Sequence, residues 1–394
     1  MNRLRRGKRR RKRVGRVSYY WHHGAWHLYY RDGNRQVRRR VGTDEQVAAR
    51  VAAETNAQLG SHLPTLFSFT PTTGAELQRG FLEHHEFVRR SSLATVARYR
   101  TATQHLVDFL VLNGANVPAH KLDGEAFVRY LRELRVAPNG HPHTPTRLLR
   151  DKGIRFILET CRSLYAYADK KRHLPPYAEN PLAGLGGKRF HVEDAKPIFV
   201  FDQRSELEFF QQADNWAFPL HLLLAKTGLR PGEAVHLLIE DLELDAGWLQ
   251  IRNKPELGWK IKTRRERAIP LVDELVSVLR RVVARRGAGP VFLRPRLTTD
   301  RGPLATANCR QLVAEAEQRI AAAAAALREP LPRKHVAAIH RSVWRDAGAV
   351  RLDCVRCSFV RIARRCGLEQ VTCPKSWRHT FATLLQDANV DPGT

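Results

Sequence analysis

Two spacings of apolar residues alternate along the chain, and the points where one gives way to the other mark out its segments. Near the N-terminus the runs are short and aromatic. Val17–His22 and residues 25–30 read as strands on either side of His23-Gly24, Arg31-Asp32-Gly33-Asn34 is a hairpin signal, and residues 36–41 make a third strand. Thr43 with Gln46 three positions later has the form of a capping box, which opens a helix through Leu59. A Pro/Ser/Thr-rich stretch, 61–73, follows. The spacing then turns helical: 75–88, 95–112 (Val96, Tyr99, Thr103, Leu106 and Leu110 on one stripe), 124–134 and a long 146–171, closed by Asn180-Pro181. Residues 186–197 are a Gly/Lys-rich hinge.

Beyond the hinge the pattern is mixed. Asp202 or Ser205 caps a helix through Gln212, and 216–226 is the next. Its apolar end, Leu222 to Ala225, is stopped by Gly228. Pro231 suits the first turn of a new helix, with Ala234, Leu237 and Leu238 as its buried stripe. Strands are expected at 248–253, 259–263 and 267–270, then helices at 272–285 and 304–327, the latter ending in an alanine run. Residues 328–356 read as a basic, irregular insertion. A helix over 355–367 leads to a last one near Pro374.

Charge changes the picture more than length does. The 394 residues suffice for two or three domains. The formal net charge is +28, and residues 3–16 hold ten Lys/Arg and no acid, so 28 − 10 = +18 remains on the rest. A polyanionic partner is expected, nucleic acid before membrane, because no apolar run approaches a membrane span and no lipid-binding amphipathic helix stands out. With no apolar h-region behind the basic arm, a cytoplasmic location is expected. Cys354-x-x-Cys357 with Cys366 and Cys373 invites a zinc reading, but the later spacings fit no standard knuckle. Ordinary buried thiols, and no metal, are the expectation.

Two stretches carry the candidate chemistry. In Thr227-Gly228-Leu229-Arg230-Pro231-Gly232-Glu233, Arg230 stands just before a helix N-terminus, a place suited to phosphate. In Pro374-Lys375-Ser376-Trp377-Arg378-His379-Thr380, Lys375 and Arg378 are three apart and share a helix face. Each stretch alone is more simply a pair of solvated basic residues beside a cap. Together, in this order, with Ile261-Lys262-Thr263-Arg264-Arg265-Glu266-Arg267-Ala268-Ile269-Pro270-Leu271 between them, they resemble the signature boxes of the tyrosine recombinases, the phage-integrase family.

The resemblance implies a multidomain, mainly α fold with small β-sheets: a basic arm (1–16), a three-stranded sheet plus helix that binds arm-type DNA (17–62), a helical SAM-like core-binding bundle (74–185) and a mixed α+β catalytic domain (197–394, C-terminally incomplete). It makes Arg230 and Arg378 the catalytic arginines, which stabilise a phosphorane without a metal or cofactor. Lys262 becomes the general acid, with Lys260 as the alternative, and Lys375 takes the usual histidine's place as a donor to a phosphate oxygen. Arg31, Arg35, Arg38 and Arg40, with Arg9, Arg10, Arg11 and Lys12 of the arm, are the expected DNA contacts, and double-stranded DNA the partner. The complete protein would act as a tetramer on DNA, away from membranes. One departure stands out. All nine tyrosines lie at or before Tyr177, so the expected nucleophile is missing and the chain reads as truncated before it. The implied function is site-specific recombination or integration through a phosphotyrosine, with the chain as given binding DNA and not cleaving it. The alternatives are a non-catalytic DNA-binding remnant and a generic RNA-binding basic protein.

Overall fold

The computed structural model describes residues 11–32, 35–60, 69–114, 117–137, 144–175, 178–186, 190–194, 197–297, 302–327 and 330–390. Arg9 and Arg10 lie outside them. The chain divides into two compact units, 1–195 and 196–394.

The first unit contains two separate apolar cores. Strands β1 (Lys12–Val14), β2 (Val17–His22), β3 (Ala25–Asp32) and β4 (Arg35–Gly42) form one antiparallel meander, covered on one face by helix α1 (Glu45–Gly60). The sheet has one strand more than expected, and the basic arm supplies it. Gly15, at φ +55°, makes the tight turn that pairs Val14 with Val17. Asn56 of α1 accepts from the Arg16 amide at 2.8 Å, and Lys12 is ion-paired with Glu45, so α1 holds β1 against the sheet. The core beneath is Val17, Tyr19, Leu28 and Tyr30 against Ala48, Ala52 and Leu59.

The second core belongs to a helical bundle: α2 (Gly74–Glu83), running into a π-helical turn at His84–Val88, then α3 (Leu93–Leu112), α4 (Gly124–Glu133) and α5 (Asp151–Lys170). Each start before α5 has its cap: a Thr73/Glu76 capping box, Ser92 accepting from the Thr95 amide, and Asp123 accepting from the Ala126 amide. Phe81, Leu106, Phe127, Ile154 and Tyr165 interlock at the centre, and the Tyr165 hydroxyl donates to the Ala119 carbonyl at 2.6 Å. The long fourth helix begins later than its apolar period suggests. Arg147–Leu148 (β6) pairs instead with Arg135–Val136 (β5).

The second unit is mixed. Helices α6 (Gln203–Gln211), α7 (Ala217–Thr227) and the one-turn α8 (Pro231–Ala234) precede a three-stranded antiparallel sheet of β7 (Leu242–Glu243), β8 (Trp248–Ile251) and β9 (Arg267–Pro270). Helices α9 (Asp273–Val283), α10 (Cys309–Leu327), α11 (Arg333–Asp346), α12 (Leu352–Arg365) and α13 (Lys375–Asp387) follow. Asp202 caps α6 with Ser205 as its reciprocal partner, so both candidates act together.

Three expectations fail here for local reasons. The helix opened by Pro231 stops after one turn, because the Leu238 amide is taken by the Asp241 carboxylate and the chain turns into a 3-10 segment. Residues 259–263 are not a strand: Pro255 starts a 3-10 turn, Gly258 (φ +70°) ends it, and only Lys254 and Trp259 bridge. Residues 333–346 of the supposedly irregular insertion form a regular helix, α11. Its Val343 and Trp344 complete a small core with Leu257, Leu312 and Ala316, Arg319 ties it to α10 through Asp346, and Trp344 donates to the Leu257 carbonyl at 3.1 Å.

Among the described residues no three His, Cys, Asp or Glu side chains could together hold a metal ion, and no helix is long and apolar enough to cross a membrane. The cysteines are free. Cys161 is buried, but Cys357 and Cys373 are exposed, so the buried-thiol expectation fails for those two.

A buried ion pair closes the loop below the sheet: Lys254 meets Asp241 at 2.8 Å, with both side chains at most 5% exposed. Removing one charge strands the other, so Asp241→Asn should destabilise the second unit by about 3–5 kcal/mol, and Lys254→Met with Asp241→Leu should recover most of that. Urea unfolding of the three proteins measures it; a loss below about 1 kcal/mol for the single variant would contradict the pair's buried character.

Candidate active site

The site is built at the junction of α7 and α8. Gly228 ends α7 in the left-handed region (φ +58°), and a side chain there would come within 2.4 Å of the Phe381 ring of α13. The chain then extends through Leu229, which is buried, to Arg230 at the N-cap of α8. Glu233, at the third helical position and only 3% exposed, turns back. Its carboxylate accepts from the Arg230 amide at 3.0 Å and from Arg230 Nη1 at 3.1 Å. Across from it, at the first residue of β9, Arg267 presents its fork to the same carboxylate at 2.7 and 3.4 Å.

Arg378 reaches this cluster from α13. Its Nη1 donates to the Gly228 carbonyl at 2.7 Å. The helix cannot rotate away, because Trp377 is fully buried, stacked between Phe201 (4.0 Å) and Phe210 (5.3 Å), and Thr380 Oγ1 accepts from the Phe201 amide at 2.9 Å.

Electrostatics follow from the count. Three guanidiniums gather near one carboxylate, and two of them, Arg230 and Arg267, bond to it. Burial pushes the Glu233 carboxyl up, but hydrogen bonds from Arg267 and Arg230 outweigh it and hold the group below its ordinary range. Burial, and after it the positive charge of Arg230, lower the Arg378 guanidinium; Glu233 opposes them and Arg267 adds to them. Arg230 and Arg267 remain about a third exposed, so the surplus positive charge faces an opening.

Lys262 is exposed in a turn after the buried Ile261, and Lys260 is exposed just before it. Lys375 is exposed on the first turn of α13, three residues from Arg378. His379 is exposed as well. The sequence alone does not single out Arg267, which sits in a run of basic residues. Only the pairing of Ile251 with Arg267 shows which of them turns to Glu233.

In the first unit the register sorts the remaining candidates. Arg13, Ser18, Tyr29 and Arg38 form one cross-strand row, His27 and Arg40 the next, and Arg31 pairs with Gln36. Arg31, Arg38 and Arg40 are exposed on the face away from α1, and the Arg11 and Arg38 guanidiniums lie over the Tyr29 ring at 5.3 and 5.5 Å. Tyr29 therefore belongs to the open face rather than the packing face, and Trp21 is 46% exposed. Lys12 is not on the open face: it pairs with Glu45 and lies over Trp26. Arg35 begins β4, and its side chain is outside the described part.

Residues 200–329 match the model of the phage integrase family, and this span includes Arg230, Glu233, Lys262 and Arg267. That third of the chain is similar to the phage integrase family. A candidate integrase/recombinase of Sinorhizobium fredii, y4rD, is 25% identical over 224 residues, spanning 53% of this chain and 73% of its own. The integrase of the Tn1549 transposon, solved in complex with transposon right-end DNA, shares the fold at a TM-score of 0.54 and 16% identity, covering 82% of this chain and 89% of that one. The same integrase with a circular-intermediate DNA gives 0.53, over 83% and 90%.

Two outcomes test the geometry of this cluster. Gly228→Ala needs a left-handed alanine and a displaced Phe381 ring, so α13 should loosen at a cost of about 1–3 kcal/mol, read by thermal unfolding. Because the Glu233 carboxyl is held below its ordinary range, the stability it confers is present above the usual carboxylate pKa near 4.3 and is lost as pH falls through the lower folded value. Glu233→Gln should therefore flatten that part of the acid limb; an unchanged pH profile would mean that the carboxylate is not charged in the folded protein.

Proposed function

We propose that the second unit is the phosphate-gripping centre of a site-specific DNA recombinase or integrase of the tyrosine type, and that the first unit binds its duplex. The observation that carries this is the unbalanced arginine cluster. Around one buried carboxylate stand three guanidiniums, two of them in the family's boxes, and the surplus charge calls for an anion at the opening. A scissile phosphate fits that need. When a DNA phosphodiester is attacked, charge builds on its non-bridging oxygens, and preset guanidiniums stabilise it where it develops without calling on a metal. Arg230 and Arg378 take that part, and Arg267 with Glu233 hold Arg230 in aim. Lys262 would protonate the 5′-oxygen as it leaves, and Lys375 would donate to a phosphate oxygen.

Duplex binding is supported by the net charge of +28 and by the arginine-lined face of the N-terminal sheet, the kind of surface by which β-ribbons read DNA. On this reading 17–62 is the arm-type domain, 74–185 the core-binding bundle and 197–394 the catalytic domain, with four complete copies acting on two duplexes. Residues 178–394 contain no tyrosine, so this stretch offers no phenolic nucleophile. That absence favours a second reading for the 394 residues as they stand: a protein that occupies its DNA site without breaking it.

The experiment pairs binding with adduct formation. On mixed-sequence duplex, replacing Arg31, Arg38 and Arg40 together by Ala should lower the slope of log affinity against log salt by about 3. Arg230→Ala with Arg378→Ala should leave most of the affinity. Nicked duplex should give no covalent protein–DNA adduct on a denaturing gel. An unchanged salt slope would remove the sheet from the interface, and an adduct would mean a nucleophile other than tyrosine in the second unit.

A further inference from the structure

Between the last rung of the β8–β9 ladder, Ile251 with Arg267, the chain runs out through residues 252–266 and back. This excursion carries both candidate lysines, and one side chain fastens it. Asn253 Oδ1 accepts from the Ile261 amide at 2.8 Å, and Asn253 Nδ2 donates to the Arg264 carbonyl at 3.4 Å and to Glu266 Oε1 at 3.3 Å. Glu266 Oε1 also accepts from the Asn253 amide at 2.7 Å. Between the two gripped feet the Arg264 amide donates to the Ile261 carbonyl at 2.9 Å, closing a turn with Lys262 and Thr263 at its tip, and Arg264 follows at φ +59°. Ile261, 1% exposed, is the anchor beneath.

We propose that Asn253 is a positioning residue that sets the lysine turn relative to the arginine cluster; this rests on the reading of Lys262 given above. The path is continuous: Asn253 grips Glu266, the next residue is Arg267, Arg267 grips Glu233, and Glu233 holds Arg230. The amide side chain is suited to the task because it must accept at one foot and donate at the other. Aspartate could take the Ile261 amide but could not donate to Arg264, and it would face the Glu266 carboxylate. The clasp also distinguishes the two lysines, since Lys262 occupies the tip of the closed turn while Lys260 precedes its anchor.

The test compares the 394-residue protein with Asn253→Ala, free and on mixed-sequence duplex. Amide exchange of residues 261–264 should quicken about tenfold in the variant, the size expected for one or two lost hydrogen bonds. In the unsubstituted protein, duplex should protect Lys262 from acetylation. Asn253→Ala should lose that protection while duplex affinity stays within about twofold, a combination that general destabilisation does not produce. Moving the amide to the other partner, with Asn253→Asp and Glu266→Gln, keeps the Ile261 bond and the 253–266 link and gives up only the 3.4 Å bond to Arg264, so it should restore most of the protection, and this pair carries the test should Asn253→Ala not fold. Protection equal in Asn253→Ala and the unsubstituted protein, or no restoration by the exchanged pair, overturns the proposal while leaving Lys262 at the phosphate. Lys262 unprotected in the unsubstituted protein removes the lysine reading itself, and the proposal with it.

Discussion

The second unit depends on one carboxylate. Glu233 is buried, and a buried charge survives only when its partners are close and numerous. It has four contacts, from the Arg230 amide, the Arg230 side chain and both arms of the Arg267 fork. These join two elements: the single turn of α8, through its N-cap residue Arg230, and the first residue of β9. The carboxylate therefore does in one place what a longer helix or a longer ladder would do elsewhere. It explains why α8 needs only one turn, since the N-cap and third position are locked by the same group. It also explains how a guanidinium can stand a third exposed at an opening and still be aimed.

Arg378 is fixed by a different means, and the contrast is informative. Among the described residues no carboxylate is ion-paired with it. Its position comes from packing one residue away, where Trp377 is sandwiched by Phe201 and Phe210, and from a backbone carbonyl that only a left-handed residue in close contact with Phe381 could offer. One arginine is thus held by charge and the other by shape. A second carboxylate would have anchored Arg378 as well, but it would have cancelled the positive surplus that makes the cluster a receptor for anions.

Much of this was legible in the sequence, because the signals were local. The Asp202 cap, the glycine stop before Arg230, the spacing of Lys375 and Arg378, and the alternation of Arg31, Arg38 and Arg40 each depend on neighbours within a few residues, and the structure places them accordingly. What escaped was tertiary. Lys12–Val14 is a strand because it pairs with β2 and α1 holds it there. Residues 333–346 lacked a familiar counterpart, yet their helix forms around Trp344, whose partners lie far back in the chain at Leu257 and beside His236. Residues 259–263 carry strand-like composition, but a proline, a left-handed glycine and the buried Lys254–Asp241 pair impose a loop. Arg267 and Asn253 left no signal of their own, since which member of a basic run faces a carboxylate is decided by register.

Tertiary override at residues 252–266 has a consequence for the chemistry proposed. Charge stabilisation benefits from rigidity, and the arginines sit where packing and a buried carboxylate supply it. A proton donor must instead reach a leaving oxygen whose position shifts during the reaction, so a strand buried in a sheet would serve it poorly. An exposed turn fastened at its two feet and free at its tip meets both demands: the feet set where the lysine begins, and the long side chain covers the remaining distance. The loss of a regular strand there is, on this reading, what allows a stiff arginine frame and a mobile donor to be built from adjacent residues of one hairpin.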